Sequence, residues 1–266
     1  MRVATFNLLS GRGVPDGAVR VEDLRAAARM LDADVVGLQE VDRNQDRSGG
    51  TDQTACVAEA LGAGWSRFVP AVDGTPGAAW TPSTSDDGVD VDGPSYGVAL
   101  VSRLPVLSWR VRRFGPAPFG LPLLVPGSRG LTTVPDEPRV ALAAVVEGPA
   151  GPFTVVTAHL SFVPGWNVRQ LRALSRWAAS FPGPRLLVGD LNLPGSLPRR
   201  VSGWTQLARV PTYPSWKPRV QFDHVLADRP TKVRDVRALQ LPVSDHCALV
   251  VDLVDMPPAA SAGGHW

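Results

Sequence analysis

Leu186-Leu187-Val188-Gly189-Asp190-Leu191-Asn192 is an apolar run that ends in a glycine, a carboxylate and an amide. It follows Pro182-Gly183-Pro184, and a run of that length between turn signals reads as a buried strand over 186–188 that emerges at a polar end. The pattern recurs in Val35-Val36-Gly37-Leu38-Gln39-Glu40, a strand over 34–39 ending at Glu40, and in a strand over 2–8 that closes at Asn7. Further strands are expected at 65–72, 97–101, 106–114, 139–147, 153–160, 222–227, 233–239 and 248–254. Helical patterns are fewer: 20–31, 51–61 stopped by Gly62, and 167–181, where Leu171, Leu174 and Trp177 fall at helical spacing. Many strands with few helices predict an α/β fold of two sheets covered by helices.

The chain has 266 residues, 44% of them apolar, enough for a sizeable core. A single domain over 1–255 and a flexible Pro, Ala and Gly-rich tail over 256–266 are expected. The longest apolar run, 140–146, is far short of the roughly 20 residues a membrane span needs, which excludes a transmembrane protein. The first residues read as a strand and not as a leader, so a cytoplasmic location is expected, with a monomer as the default. Cys56 and Cys247 stand alone, which indicates neither a disulfide framework nor a zinc knuckle. With 27 Lys+Arg against 25 Asp+Glu, the net charge of +2 argues against a polyanion binder held by bulk charge alone. The stretches 73–95, with Asp86, Asp87, Asp90 and Asp92, and 115–138, with Phe119, Leu121, Leu123, Leu124 and Val125, are expected as long loops. Such loops serve as binding elements or as surface decoration.

Taken singly, the polar strand ends have ordinary explanations. Asn7 suits a turn, Asp190-Leu191-Asn192 an Asx turn, Glu40 a strand entering solvent, and Ser244-Asp245-His246 a plain loop. Together they are four apolar strands or segments ending in oxygen or imidazole donors, and strand ends of packed sheets are where sites converge. Asn7, Glu40, Asp190, Asn192 and Asp245 offer oxygen alone, a set that suits Mg²⁺, or Mn²⁺, and disfavours zinc. A divalent ion held by carboxylates with open positions polarises a phosphoryl oxygen and orients a water. His246 with Asp223 would make the imidazole–carboxylate pair of a general base, and His159 could donate to a developing phosphorane oxygen. His265, in the tail, is expected to be inert.

Seven segments carry a more specific signal: Thr5-Phe6-Asn7, Leu38-Gln39-Glu40-Val41, Tyr96-Gly97-Val98-Ala99-Leu100-Val101-Ser102-Arg103, Thr157-Ala158-His159-Leu160, Gly189-Asp190-Leu191-Asn192, Phe222-Asp223-His224-Val225 and Ser244-Asp245-His246. In order and spacing, over 2–253, the sequence resembles the endonuclease/exonuclease/phosphatase superfamily, which includes deoxyribonuclease I-like nucleases, AP endonucleases, neutral sphingomyelinases and inositol polyphosphate phosphatases. The resemblance implies a four-layer αββα sandwich of two packed mixed β-sheets flanked by helices. It also implies Mg²⁺-dependent hydrolysis of a phosphoester without a covalent intermediate. On the same ground Glu40 would be the principal metal ligand, helped by Asn7 and Asp245. Asp190 would orient the attacking water or hold a second ion, and Asn192 would steady the phosphoryl group. His246 would be the base oriented by Asp223, His159 the transition-state donor, and Arg139 a group that orients the site. The chain departs from many relatives at His224, where they carry an aromatic, and after Tyr96, where Gly97-Val98 replaces Gly-Asn and bears on Tyr96 as a substrate contact. Thr157-Ala158-His159-Leu160 is closer to phosphatase and sphingomyelinase-like members.

For the substrate, the apolar loop 161–166 with Trp166 and the run 119–125 offer contacts to a lipid or an aromatic base, or pack into the core. Arg110, Arg112, Arg113, Arg199 and Arg200 offer contacts to nucleic-acid phosphates, or form a solvated basic face. Three readings follow. A phosphodiesterase or phosphatase acting on a small or lipid-derived phosphoester ranks first, and a DNA or RNA nuclease second. A catalytically inactive binding scaffold is least favoured, because Glu40, Asp190, Asp223, Asp245 and His246 are all present.

Overall fold

The computed structural model describes residues 1–86, 92–124 and 130–254, with positions 123 and 124 described by their backbone alone. The expected tail 256–266, with His265, lies outside the described residues, as do Asp87, Asp90 and Val125. In chain order the strands are β1 (Arg2–Asn7), β2 (Val35–Arg43), β3 (Trp65–Gly74), β4 (Trp80–Pro82), β5 (Ser95–Ser102), β6 (Val106–Phe114), β7 (Leu121–Leu124) and β8 (Leu131–Val134). They continue as β9 (Arg139–Gly148), β10 (Gly151–His159), β11 (Arg185–Asp190), β12 (Thr205–Gln206), β13 (Asp223–Ala227), β14 (Val233–Leu239) and β15 (Ala248–Leu253). The helices are α1 (Val21–Leu31), α2 (Gln53–Leu61), α3 (Trp166–Ala178) and α4 (Leu197–Ser202).

Two mixed sheets result, one ordered β14-β15-β1-β2-β5-β3-β4 and the other β12-β13-β11-β10-β9-β6, with β7 and β8 as a separate hairpin. Side-chain alternation sorts the apolar residues into three cores. Val3, Val35, Leu142, Val155, Val188 and Leu249 fill the space between the sheets. Phe6, Leu38 and Val250 point the other way, against Leu24 and Leu31 of α1 and Val57 of α2. Val156 and Leu187 of the second sheet pack on Leu171 and Leu174 of α3. The layers therefore run helices, sheet, sheet, helices, as the resemblance implied. Among the described residues no helix is long and apolar enough to cross a membrane.

The differences from the sequence expectations concern ends and short pieces. The strand expected to stop before Glu40 continues to Arg43 through an irregularity in its pairing with β5 between Leu38 and Val41. Glu40 sits there at φ 52°. The extra residue keeps Val41 on the helix-facing side while re-aiming Glu40 toward the rim. The stretches expected as loops carry β4 and the β7–β8 hairpin, too short to show a period. The third helix stops at Ala178 and not 181, with Phe181 folding back edge-on against Trp177. α4 and β12 had no apolar periodicity to announce them.

At the centre the sheets approach so closely that one strand carries no side chain. A Cβ on Gly37 would meet Thr157 Oγ1 and Val188 Cγ2 at 2.6 Å each. Next to it, Gln39 accepts from Thr5 Oγ1 at 3.1 Å and donates to Thr157 Oγ1 at 2.9 Å, a buried polar bridge between the sheets. Gly37→Ala is expected to lower stability by about 1–3 kcal/mol, the cost of overpacking a full core. The check is the urea midpoint at unchanged slope. A midpoint that stays or rises, as it would for a strand glycine with room beside it, contradicts the close approach.

Candidate active site

The inward-facing stripe of each central strand is apolar along its body and polar at its last position. β1 runs Val3, Thr5, Asn7; β10 runs Phe153, Val155, Thr157, His159; β11 runs Leu186, Val188, Asp190. Register puts these ends side by side, because His159 pairs with Asp190 and Asp190 with Asp223. Gly189 permits this neighbourhood, since at φ 154° a Cβ would overlap the Ala158 carbonyl of β10. From the opposite sheet come Asn7, Glu40 and Tyr96. The segment before β15 adds Asp245 and His246, held by Ser215, whose N–H donates to the Asp245 carbonyl and whose Oγ donates to the Ser244 carbonyl.

The turn readings of the strand ends are correct for one oxygen each, and the remaining atoms face the site. Asp190 Oδ1 accepts from Asn192 N–H at 3.0 Å, closing the Asx turn. Its Oδ2 accepts from Asn7 Nδ2 at 3.0 Å and lies 3.7 Å from His159 Nε2 and 3.8 Å from His246 Nε2. Asn7 Oδ1 likewise accepts from Leu9 N–H at 3.0 Å, which turns its amide toward the carboxylates, and Nδ2 donates to Glu40 Oε1 at 2.9 Å. His246 Nδ1 meets Asp223 Oδ2 at 2.7 Å, while Tyr213 packs on the imidazole with ring centroids 4.9 Å apart. Asn192 donates from Nδ2 to the Leu160 carbonyl at 2.9 Å and lies 3.2 Å from His159 Nε2. With the amide so oriented, His159 Nε2 accepts, and the imidazole holds Asn192 in place.

Burial governs the charges. It raises the Glu40 carboxyl above its ordinary range against the Asn7 hydrogen bond, and raises Asp245 as well. Asp190 is pushed up to about 7, chiefly by burial, with Asp223 adding to the rise. For His246 burial works downward, but the carboxylates of Asp223, Asp190 and Asp245 outweigh it and push the imidazole up to about 10. His159 is held well below its ordinary value by burial, then by the charges of Arg139 and His246. One rim thus carries a neutral imidazole and a cationic one, set apart by their neighbours.

Glu40, Asp190, Asp245, His159, His246, Asn192, Arg139 and Tyr96 line one cleft of about 370 Å³. Arg139 is almost fully buried, 3.5 Å from Asp136. Asp136 Oδ2 in turn accepts from Ala117 N–H at 2.7 Å and Ser161 Oγ at 2.8 Å, so Ala117 and Ser161 brace the carboxylate beside the arginine. Trp166, expected as a substrate contact, is outside the lining: it begins α3 and donates from Nε1 to the Gly115 carbonyl at 3.1 Å. Phe162 takes the wall position instead, with the Arg139 guanidinium 5.9 Å from its ring centre. Sequence reasoning missed Tyr213, Phe222 and Glu137 in this lining. A usable signal existed for the first, since the chain has two tyrosines and both line the cleft. His224, the departure noted above, faces the opposite side of β13, buried, with Nε2 2.8 Å from the Leu193 carbonyl; burial lowers it to about 4.

The donor set fits a hard divalent cation. Glu40 and Asp245 form no ion pair with a lysine or arginine among the described residues, and Asp245 raises Glu40 by direct repulsion. Three partly or fully buried carboxylates at one cleft floor call for a positive charge, and their oxygens match Mg²⁺ or Mn²⁺. Asp190, Asp223 and His246 also present ligand atoms within 4.8 Å of one another, and Asp223 Oδ1 is buried without a partner. This cluster shares only Asp190 with the set expected from sequence. The short His246–Asp223 hydrogen bond fits proton handling better than joint ligation.

The comparisons with known proteins agree with this fold. The solved structure of an endonuclease/exonuclease/phosphatase from Beutenbergia cavernae superposes with a TM-score of 0.63 at 22% identity, covering 98% of this chain and 73% of that one. A mannosyl-6-phosphatase from Bacteroides thetaiotaomicron gives 0.60 at 16% identity, covering 96% of this chain and 100% of the other. Sphingomyelinase C from Streptomyces griseocarneus gives 0.55 at 15% identity, covering 94% and 98%. No curated protein matches the sequence. The model of the Endonuclease/Exonuclease/phosphatase family matches residues 4–246, almost the entire described chain, and the protein belongs to that family of phosphoester hydrolases.

Proposed function

We propose that the protein is a divalent-metal-dependent phosphoesterase that attacks a phosphoester in line with water, and that its substrate is small or the headgroup of a lipid. The observation that carries this reading is the convergence of the His246–Asp223 pair, 2.7 Å apart, with Asp190 Oδ2 3.8 Å from His246 Nε2, on the cleft that Glu40 and Asp245 also line. Glu40, Asp245 and Asp190 would hold the cation, and Asn7 fixes the carboxylates of Glu40 and Asp190. When bound, Mg²⁺ or Mn²⁺ supplies a Lewis acid to a phosphoryl oxygen and positive charge that offsets the carboxylates raising His246. Asp190 Oδ2 and His246 Nε2, 3.8 Å apart, would flank the attacking water. Asp223 keeps the imidazole tautomer with Nε2 turned to the cleft. Arg139 donates to the phosphoryl oxygens as charge builds on them, while Asn192, whose amide protons go to the Leu160 carbonyl and His159 Nε2, fixes the imidazole beside Asp190.

The size and lining of the cleft support a small substrate. A volume of about 370 Å³ is at the lower end for a ligand site, and Phe162, Phe222, Tyr213, Val134 and Pro135 make its walls apolar, with Glu137 among them. Arg110, Arg112 and Arg113, candidates for a nucleic-acid backbone, are on β6 at the far edge of their sheet and outside the lining. The sphingomyelinase and the mannosyl-6-phosphatase to which the fold is similar are consistent with headgroup-sized chemistry.

Glu40→Ala and His246→Ala are each expected to lower hydrolysis of bis(4-nitrophenyl) phosphate by about 10²-fold or more, the scale of a lost metal ligand or base. Steady-state release of 4-nitrophenolate by correctly folded variants is the check, and a loss under about threefold in either would remove that residue from the mechanism. Exhaustive EDTA treatment is expected to abolish activity and added Mg²⁺ or Mn²⁺ to restore it; full activity after chelation sinks the metal reading. In a substrate panel, phospholipids and sugar phosphates should turn over while supercoiled plasmid stays intact. Nicking at catalytic enzyme concentration, without turnover of small phosphoesters, would make the protein a nuclease.

A further inference from the structure

A second cavity of about 370 Å³ adjoins the cleft, lined by Arg199, Arg200, Arg209, Gln206, Gln221 and Gly195 among others. It contains no carboxylate. Arg199 and Arg200 of α4 and Arg209 after β12 line it from the exposed surface, and none forms an ion pair among the described residues. By contrast, Arg2, Arg25, Arg47, Arg139 and Arg185 each pair with an aspartate or glutamate. Like charges gathered without a counter-charge repel, and a bound anion relieves that repulsion while accepting the planar donor forks of the arginines.

The floor of this cavity is fixed. Gln206 Nε2 donates to the Gly195 carbonyl and to Gln221 Oε1, each at 3.2 Å, and Gln221 Nε2 donates to the Ala208 and Asp223 carbonyls, each at 3.1 Å. The cavity shares its wall with the catalytic cleft. Gln221 and Phe222 are consecutive, and Asn192 and Gly195 are three residues apart, so the two linings approach within about 11 Å along the chain.

We infer that this cavity binds a second phosphate of the substrate. The inference rests on the phosphoesterase reading above and narrows it: the preferred substrate is a phosphoester whose other end carries a phosphomonoester, the far phosphate in the Arg199–Arg200–Arg209 cavity and the scissile one at Glu40 and His246.

Two measurements test it. The first is calorimetric titration of the chelated protein with inorganic phosphate, in which the arginine variants separate binding in this cavity from binding in the cleft. Saturable binding is expected, weakened about tenfold or more when Arg199, Arg200 and Arg209 are all replaced by Gln, and in smaller steps for the single variants, with the same order in Glu40→Ala protein. The single variants keep the test intact if the triple variant misfolds. The second uses metal-loaded wild-type enzyme and 4-nitrophenyl phosphodiesters of propanediol, hexanediol or octanediol, each with a free far hydroxyl or a far phosphate. At one chain length the far phosphate should lower KM about tenfold with little change in kcat, and that advantage should disappear in the triple variant. Absence of phosphate binding, equal binding by the variants, or a KM unmoved by the far phosphate at every length overturns the inference. Failure to hydrolyse any of the diesters, with arginine-dependent phosphate binding intact, would instead overturn the phosphoesterase reading.

Discussion

Everything in the site depends on how closely the two sheets are packed at Gly37. Because β2 presents no side chain there, Thr157 and Val188 of the opposite sheet press against its backbone, and Gln39 bridges Thr5 and Thr157 one step toward the rim. The next inward positions are Asn7, His159 and Asp190, and their atoms are close enough to share hydrogen bonds across the sheets, as Asn7 Nδ2 does with Asp190 Oδ2 at 3.0 Å. A wider spacing would leave each polar end in its own solvent. The packing that stabilises the centre also sets the distances at the edge.

The same arrangement explains the electrostatics. Carboxylates at the end of an apolar stripe are drawn out of water by the stripe itself, which raises Glu40, Asp190 and Asp245 together. Asp223 first, then Asp190 and Asp245, make His246 so basic against its burial, while burial, together with the charges of Arg139 and His246, keeps His159, two strands from Asp223 in the same row, neutral. One cleft therefore holds groups of opposite proton affinity without either being far from the other, the arrangement that acid–base chemistry at a phosphoester requires. It also leaves a deficit of positive charge that a divalent cation would fill.

Much of this was legible in the sequence because apolar runs ending in Asn7, Glu40 or Asp190 state both the strand and its exit. The order of those runs carried the α/β fold of two sheets, the family resemblance carried its four layers, and the polar ends Glu40, Asp190 and Asn192 line the cleft. What stayed hidden has physical reasons. The bulge at Glu40 is a backbone event with no side-chain period, so the strand read as four residues shorter on that side than it is. Tyr213 and Glu137 enter the cleft from segments without regular alternation, and Phe222 from the position just before β13. Trp166 looked like a site residue by proximity in sequence to His159, but the turn of α3 carries its indole to the Gly115 carbonyl, and Phe162 faces Arg139 instead. The basic pair Arg199-Arg200 acquires a meaning only when Arg209, distant by one short strand, folds beside it.

The central claim is that the carboxylates of this cleft exist to hold a divalent cation. Titrating the chelated protein with Mn²⁺ and following the free ion by electron paramagnetic resonance tests it without any assumption about substrate. Stoichiometric binding to wild-type protein that Mg²⁺ displaces, and that Glu40→Gln weakens by about tenfold or more while the fold is retained, is the predicted result. Free Mn²⁺ that tracks the added amount from the first aliquot, or binding that Glu40→Gln leaves untouched, would contradict it.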